Sequence, residues 1–266
     1  MSIIHIEDPD DPRLAEFRNV PDPELLGRHK LFVAEGRLVV RRLLLESRLP
    51  ALSVMVTQAA LAPLQEVVDP RDLLPVYVVP QAVMNGITGY NMHRGCVALG
   101  ERPQASEWRE LTNRAQYLLA LERVGNADNV GSAFRSASAF GVDAVLLESG
   151  CADPLYRKAI RTSMGASLTI PFAPAEPWPD MLYELRNKGW AVVGMTASSR
   201  TKELREIAPM IARHPTVIVL GHEGDGLSDE ALEACSHRAR IPMTNRVDSL
   251  NVATAAAIAL YELVRG

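Results

Sequence analysis

Three polar segments of the chain carry residue types that could bind a ligand and act on it. The first spans residues 126–131 and is followed by Arg135. It lies between a predicted buried strand at 117–121 and a predicted helix at 130–140. Ligands in open α/β sheets bind at the carboxyl ends of strands, which is where this loop would lie. Asn129 as a simple helix N-cap and Arg135 as an exposed helix residue remain open alternatives.

The second segment is an apolar stretch at 217–220 that runs into a loop with three glycines, Gly221, Gly224 and Gly226. Glycine lets a backbone approach a ligand closely and adopt positive φ. Glu223 lies within this loop, and its carboxylate could bind a hydroxyl or an amine. A tight turn with a solvated Glu explains the same residues, so this segment by itself does not decide between binding and structure.

The third segment is Ile-Pro-Met at 241–243, followed by Asp-Ser-Leu-Asn-Val at 248–252. Asp248 or Ser249 is the predicted N-cap of a final alanine-rich helix at 248–264. Ser249 and Asn251 could also direct polar groups toward the sheet edge that carries the other two segments. Taken separately, these residues indicate only where a helix begins.

Helices and strands alternate on both sides of a polar segment at 101–113, which we interpret as a linker. Alternation of this kind indicates α/β architecture, with a small α/β sandwich before the linker. The strands are predicted at 31–34, 51–57, 75–79, 96–99, 117–121, 144–148, 191–196 and 217–220. The helices are predicted at 37–47, 59–68, 81–87, 130–140, 153–164, 181–187 and 248–264.

Composition narrows the classes of protein. The 266 residues are 47% apolar, which permits a sizeable core, and no stretch has the length and apolarity of a membrane helix. A net charge of −4 argues against a nonspecific nucleic-acid binder, but it allows a local basic face. The three cysteines are far apart, so neither a disulfide framework nor a zinc site is expected. The acidic N-terminus lacks the basic start of a signal peptide, and we expect a cytoplasmic protein with no membrane partner.

Taken together and in this order, the three segments resemble the SpoU/TrmH family of RNA ribose methyltransferases, which is part of the SPOUT class. The family pattern is N-x-x-N-x-G-x-x-x-R, then G-x-E-G-x-G-L, then I-P-M leading to S-L-N-V, and residues 126–135, 221–227, 241–243 and 249–252 match it. Ala127 stands where proline is common. Residues 161–166 also resemble the segment that links these motifs in the family. The resemblance covers residues 115–266.

The resemblance implies an α/β fold in which a trefoil-knotted SPOUT methyltransferase domain at 114–266 follows a small α/β RNA-binding domain at 1–100 and a linker at 101–113. Residues 32–38 and 95–98 resemble, more loosely, the RNA-binding domain of such enzymes. The usual S-P-Q-G before its closing strand is replaced by residues 92–95. The family also implies a homodimer, in which small residues on the helices at 130–140 and 248–264 would allow close packing.

The resemblance further implies methylation of a ribose 2′-hydroxyl in RNA with S-adenosylmethionine as cofactor and without a metal. The cofactor pocket would be lined by Thr196, Gly221, Ile241 and Leu250. The ribose and its phosphate would be surrounded by Asn129, Arg135, Glu223, Ser249 and Asn251, and Arg135 would activate the hydroxyl. The additional N-terminal domain favours ribosomal RNA over transfer RNA as the substrate.

Two other functions are compatible with parts of the pattern. Glycine loops after strands also occur in nucleotide-cofactor oxidoreductases, but neither loop here has the G-x-G-x-x-G spacing that opens a helix in those enzymes. A catalytically inactive RNA-binding homologue is the second alternative. It is disfavoured because every polar position of the family pattern is occupied.

Overall fold

The computed structural model describes residues 2–18, 21–68, 73–92, 95–244 and 248–264. Contacts between residues divide the chain into two compact units. Unit 1 comprises Met1–Gln104 together with Pro154–Thr169, and unit 2 comprises Ala105–Asp153 together with Ile170–Gly266. Segment 154–169, which the sequence assigned to the methyltransferase domain, therefore has its contacts within unit 1.

Twelve strands are present in the described residues. They are β1 Ser2–His5, β2 Leu31–Glu35, β3 Ala51–Val56, β4 Pro75–Val78, β5 Cys96–Glu101, β6 Tyr117–Leu121, β7 Ala144–Leu147, β8 Phe172–Pro174, β9 Ala191–Met195, β10 Lys202–Glu203, β11 Thr216–Leu220 and β12 His237–Arg240.

The α-helices alternate with these strands along most of the chain. They are α1 Asp22–Glu24, α2 Arg37–Leu45, α3 Gln58–Leu61, α4 Gln65–Val68, α5 Gln81–Thr88, α6 Trp108–Thr112, α7 Ala127–Phe140, α8 Arg157–Thr162, α9 Asp180–Asn187, α10 Leu204–Ile211, α11 Asp229–Ala234 and α12 Val252–Val264.

Unit 1 is built on a five-stranded sheet in the order β1-β4-β3-β5-β2. Strands β1, β4 and β3 pair in parallel, whereas β5 is antiparallel to β3 and to β2. The sheet is therefore mixed, and its core includes Phe17, Val33, Met55 and Met84. Helix α8 of segment 154–169 packs against β2 of this sheet.

Unit 2 is built on a seven-stranded sheet in the order β10-β12-β9-β11-β6-β7-β8, and every pairing in it is parallel. Strands of parallel sheets are covered on both faces, so they favour continuous β-branched and aliphatic runs. Strand β11, Thr-Val-Ile-Val-Leu, fits this rule and is buried at all five positions. The predicted α/β class is confirmed, whereas the predicted knot remains a prediction.

Helix α7 begins earlier than the sequence indicated. The Asn126 side chain accepts a hydrogen bond from the backbone N–H of Asp128 at 2.8 Å, so Asn126 is the N-cap and the helix starts at Ala127 rather than at 130. The helix ends at Phe140, and the following Gly141 has a φ of 75°, the left-handed conformation that terminates many helices. Asn129 therefore lies in the first turn of α7, and its alternative interpretation as the N-cap was wrong.

Helix α12 begins later than predicted. Neither Asp248 nor Ser249 caps it, because the Asn251 side chain accepts hydrogen bonds from the backbone N–H groups of Ala253 at 3.0 Å and Thr254 at 3.3 Å. The helix then runs over Val252–Val264 and packs against α7. Small residues on both helices are buried within the single chain, among them Ala133, Ala137, Ala256 and Ala259. Their burial therefore does not by itself require a second subunit.

The segment predicted as a linker, 101–113, contains helix α6. Trp108 at the start of α6 is 2% exposed and belongs to the core of unit 2. Its indole N–H donates to the backbone carbonyl of Glu176 at 2.9 Å. Polar composition indicated a linker, but buried Trp108 anchors this segment to the core of unit 2.

Other sequence expectations concern thiols and membranes. Burial raises the pKa of Cys96, Cys151 and Cys235 to about 12, which keeps these thiols protonated near neutral pH. Among the described residues, no group of three or more His, Cys, Asp or Glu is placed to hold a metal ion. Within the same residues, the helices are too short or too polar to cross a membrane.

Candidate active site

The three polar segments meet at one edge of the sheet in unit 2. Strands β12, β9, β11 and β6 are neighbours in that order and all run in parallel. Ile241, Thr196, Gly221 and Glu122 are the residues that immediately follow these four strands. Since the carboxyl ends of parallel strands share an edge, residues from distant parts of the sequence become neighbours there.

A pocket of about 370 Å³ opens at this edge, within the range of roughly 300–1,000 Å³ that is typical of small-molecule sites. Six predicted site residues are among those that line it, namely Thr196, Gly221, Glu223, Ile241, Ser249 and Leu250. The lining also includes residues that the sequence analysis did not single out, among them Ser198, His222, Asp225, Leu227, Asp229 and Met243.

A hydrogen-bonded chain of side chains joins all three segments. The Asn129 amide nitrogen donates to Glu223 Oε1 at 2.5 Å, and Asn251 Nδ2 donates to Asn129 Oδ1 at 2.9 Å. Both polar atoms of the Asn129 side chain are therefore engaged, and only one orientation of its amide satisfies both partners. Three residues that lie far apart in the sequence are thus held in fixed relation beside the pocket.

The glycine loop after β11 folds back on its own backbone. A side-chain carbon at Gly221 would collide with the backbone of Gly226 and Leu227, so residue 221 must be glycine for the loop to close. The backbone N–H of Gly226 donates to the carbonyl of His222 at 3.0 Å, and Gly226 has a φ of 72°. This compact turn presents Glu223 to Asn129.

His222 stabilises the same loop through its ring. Its Nδ1 atom accepts hydrogen bonds from the backbone N–H groups of Gly224 at 3.0 Å and Asp225 at 3.3 Å. This role of His222 could not be predicted from the sequence, because it depends on the turn that the loop adopts. A histidine inside a glycine-rich loop was the available signal.

The charge of the pocket discriminates between candidate cofactors. Its described lining contains three carboxylates, Glu223, Asp225 and Asp229, and no Lys or Arg. This lining suits a cationic sulfonium, and apolar side chains such as Ile241 and Leu250 suit an adenine ring. The described lining supplies no Lys or Arg cation for the pyrophosphate of a nicotinamide dinucleotide. It fits S-adenosylmethionine.

Arg135 is the predicted site residue that stands apart. It lies on α7, is exposed, and is not among the described residues that line the pocket. It follows Asn129 by six residues, which is between one and two helical turns. Within this chain, the structure groups the other eight predicted site residues at the pocket or its hydrogen-bonded edge and leaves Arg135 open to the surroundings.

Comparison with known proteins matches the part of the chain that forms the site. The model of the SpoU rRNA Methylase family matches residues 116–261, which is more than half of the chain. The match includes all three polar segments and the pocket that they form.

Individual relatives and solved structures agree with this family. An uncharacterized tRNA/rRNA methyltransferase of Mycobacterium bovis is 39% identical across 97% of this chain and 90% of its own length. The 23S rRNA (guanosine-2′-O-)-methyltransferase RlmB of Pseudomonas aeruginosa is 34% identical across 65% of this chain and 71% of its own. The AdoMet-bound structure of an rRNA methyltransferase from Sinorhizobium meliloti has a TM-score of 0.84 at 26% identity, over 99% of this chain and 98% of that one.

These findings confirm the family, the enzyme class and the cofactor that the sequence predicted. The pocket fits the cofactor, and the family model spans the residues that build the pocket. The chain belongs to the SpoU rRNA methylase family and is an RNA methyltransferase that uses S-adenosylmethionine.

Proposed function

We propose that this enzyme methylates a ribose 2′-hydroxyl, and that its substrate is ribosomal RNA. The observation that carries the proposal is the Asn251–Asn129–Glu223 chain of hydrogen bonds, which places hydrogen-bonding groups beside the cofactor pocket. Groups of this kind can accept from and donate to a ribose hydroxyl. The name of the Pseudomonas aeruginosa relative, a guanosine-2′-O-methyltransferase of 23S rRNA, supports the same reaction and the same class of RNA.

The proposed roles follow from what each side chain can do. The bound cofactor supplies an electrophilic methyl group, so the protein must orient the ribose oxygen and help to remove its proton. Glu223 uses one carboxylate oxygen for Asn129, which leaves the other able to accept a hydrogen bond from a ribose hydroxyl. Ser249 and Asn251 contribute further polar groups to the same edge.

We assign activation of the hydroxyl to Arg135. A guanidinium remains protonated, so it cannot act as a simple base. It can stabilise the developing alkoxide, or hold a phosphate group that accepts the proton. The exposure of Arg135 fits a residue that meets the RNA rather than the cofactor.

A homodimer is part of the proposal, and a subunit-mixing experiment tests whether Arg135 acts across it. Arg135→Ala and Glu223→Gln subunits would be mixed in equal amounts. If Arg135 serves the pocket of the other subunit, a mixed dimer pairs one doubly defective site with one intact site, and the mixture recovers activity. Persistent inactivity of a mixture shown to contain mixed dimers would place both residues in one subunit's site.

The identity of the RNA is tested by mapping ribose methylation in cells with and without the gene. We expect one or more 2′-O-methyl groups to disappear from ribosomal RNA and to return with the wild-type gene but not with an Arg135→Ala variant. Loss of a mark from transfer RNA instead would redirect the substrate while keeping the chemistry. An unchanged map of both RNA classes would favour an inactive RNA-binding homologue.

Unit 1 is the proposed RNA-binding part. Its separate mixed sheet supplies none of the described residues that line the cofactor pocket, so its contribution is to substrate binding. Exposed cations on α2, Arg37 and Arg41, could contact phosphates. Replacing both with Gln should weaken RNA binding and reduce its salt dependence, and leave cofactor affinity as it is. Unaltered RNA affinity would argue against this role for α2.

A further inference from the structure

One buried carboxylate lies outside the family pattern that the sequence analysis used. Glu122 directly follows β6 and is 3% exposed, although it is an ionisable residue. Charged side chains are seldom buried unless their hydrogen-bonding needs are met. The partners of Glu122 therefore indicate what the residue does.

The Glu122 carboxylate accepts three hydrogen bonds from two residues, Trp178 and Ser228. Oε1 accepts from the Trp178 indole N–H at 2.8 Å and from the Ser228 hydroxyl at 2.6 Å. Oε2 accepts from the backbone N–H of Ser228 at 2.8 Å. An ionised carboxylate has no proton to donate, so it matches donors at both oxygens. Ser228 is also the N-cap of α11, because its hydroxyl accepts from the Ala231 N–H.

The backbone of Glu122 completes the arrangement. Its N–H donates to the carbonyl of Leu220 at 2.8 Å, at the end of β11. Leu220 and Ser228 flank the loop 221–227, so one residue holds the residue before the loop with its backbone and the residue after it with its carboxylate. Every residue of that loop lines the cofactor pocket. The loop also carries Glu223, the hydrogen-bond partner of Asn129.

We propose that Glu122 is a positioning residue that fixes both ends of the 221–227 loop and thereby pre-forms the cofactor pocket. It acts through Ser228 and the loop, and it is not among the described residues of the pocket lining. Pre-forming a site lowers the conformational cost of binding, so we expect Glu122 to contribute first to cofactor affinity. The inference depends on the cofactor and does not depend on which RNA group is methylated.

Glu122→Gln is the most direct test because it keeps the size of the side chain. The glutamine amide has one acceptor oxygen, so its NH₂ group must face a donor, either the Ser228 or the Trp178 N–H. We expect S-adenosylmethionine affinity, measured by calorimetry without RNA, to fall about tenfold or more, as for loss of a hydrogen bond to a charged group. Hydrogen exchange at residues 221–228 of the cofactor-free protein should become faster.

Trp178→Phe is the matched control, since it removes a different hydrogen bond from the same carboxylate and leaves both loop contacts in place. We expect its cofactor affinity and loop exchange to match those of the wild type. An equal loss of cofactor affinity in Trp178→Phe and Glu122→Gln would overturn the proposal. It would mean that any disturbance of the buried carboxylate weakens cofactor binding, whether or not the contacts with the loop are lost. Wild-type affinity and wild-type exchange in Glu122→Gln would overturn it as well.

A second variant covers the case in which Glu122→Gln does not fold. Ser228→Ala removes the hydroxyl contact with Oε1 and the side-chain cap of α11, but it retains the backbone contact with Oε2. It should weaken cofactor binding and speed exchange in the 221–227 loop, to a smaller extent than loss of the whole carboxylate would. No effect of Ser228→Ala on affinity and exchange would contradict the role assigned to Glu122.

Discussion

At the scale of single residues, the site depends on one asparagine that satisfies two partners at once. Asn129 donates to Glu223 and accepts from Asn251, so each of the three polar segments contributes one member. A network of this kind has a single satisfied arrangement, and it restrains the residues that it joins. Changes that exchange one donor for an acceptor should therefore disturb the site without removing any bulk.

Asn251→Asp separates the two roles of Asn251. Aspartate caps a helix about as well as asparagine, so α12 should keep its N-cap and the protein its melting temperature. The new carboxylate oxygen would face Asn129 Oδ1, where the native Nδ2 donates, and the network would lose that contact. We expect slower methyl transfer at unchanged stability, measured by single-turnover assays and thermal unfolding. A parallel loss of stability would mean that the residue acts through the helix.

Arg135→Ala should abolish most methyl transfer while leaving cofactor affinity nearly unchanged. Arg135 is exposed and is not among the described residues that line the cofactor pocket. Its loss should therefore affect methyl transfer and not cofactor binding. Loss of stabilisation for a developing charge should slow the chemical step about 100-fold or more. Single-turnover measurements with saturating RNA isolate that step.

Arg135→Lys is the matched variant, and it should rescue poorly because an ammonium cannot reproduce the planar guanidinium. Transfer by Arg135→Ala at close to the wild-type rate would identify Arg135 as an ordinary surface residue.

At the scale of elements, the sequence predicted the strands that bear the site far better than the contacts at their ends. Apolar runs such as β6 and β11 were recognisable because both faces of a parallel sheet are covered. Strand β12, with the sequence His-Arg-Ala-Arg, was not predicted, because its polar side chains lack the apolar pattern of a buried strand. Its backbone nevertheless pairs with β9. The order of neighbouring strands, which brings Ile241 beside Thr196, cannot be read from local patterns.

Contacts between the site residues also could not be predicted from local sequence patterns. Spacing and the family pattern identified Asn129, Glu223 and Asn251, but which atoms they use on one another depends on tertiary geometry. Glu122 and His222 were not singled out, because their roles depend on the path of the 221–227 loop. A carboxylate at the end of an apolar strand was the local signal for Glu122.

Gly221→Ala tests the turn of the glycine loop. The added methyl group would meet the backbone of Gly226 and Leu227, which cannot move aside as a flexible side chain could. We expect a marked loss of S-adenosylmethionine affinity in calorimetry. Gly86→Ala in α5 is the control, because its side chain would enter open space. Normal cofactor binding by Gly221→Ala would show that the loop has another way to close.

At the scale of the whole molecule, the chain passes between its two units three times, after Gln104, after Asp153 and after Thr169. Segment 154–169 is tied into unit 1 by specific contacts. The Arg157 backbone N–H donates to Asp22 at 2.9 Å, and the Ser47 hydroxyl donates to the carbonyl of Leu168 at 2.6 Å. The sequence predicts a separate domain at residues 1–100, because local patterns do not reveal that segment 154–169 also belongs to unit 1.

Deleting residues 1–104 should therefore be more damaging than a linker at 101–113 would suggest. Segment 154–169 would lose the sheet against which α8 packs, so the remaining fragment should melt at a lower temperature than the full chain. Because the described residues that line the pocket all belong to unit 2, S-adenosylmethionine should still raise that melting temperature. Thermal unfolding with and without the cofactor measures both effects. A fragment as stable as the full chain would show that segment 154–169 does not need residues 1–104.

The central claim is that the methyl group is transferred to a ribose oxygen. The most direct measurement is to incubate the enzyme and RNA with S-adenosylmethionine carrying a labelled methyl group, and then to hydrolyse the RNA in alkali. A 2′-O-methyl group blocks cleavage of the adjacent phosphodiester, so the account predicts label in alkali-resistant dinucleotides and its loss with Arg135→Ala. Label released in mononucleotides with a methylated base would contradict the account.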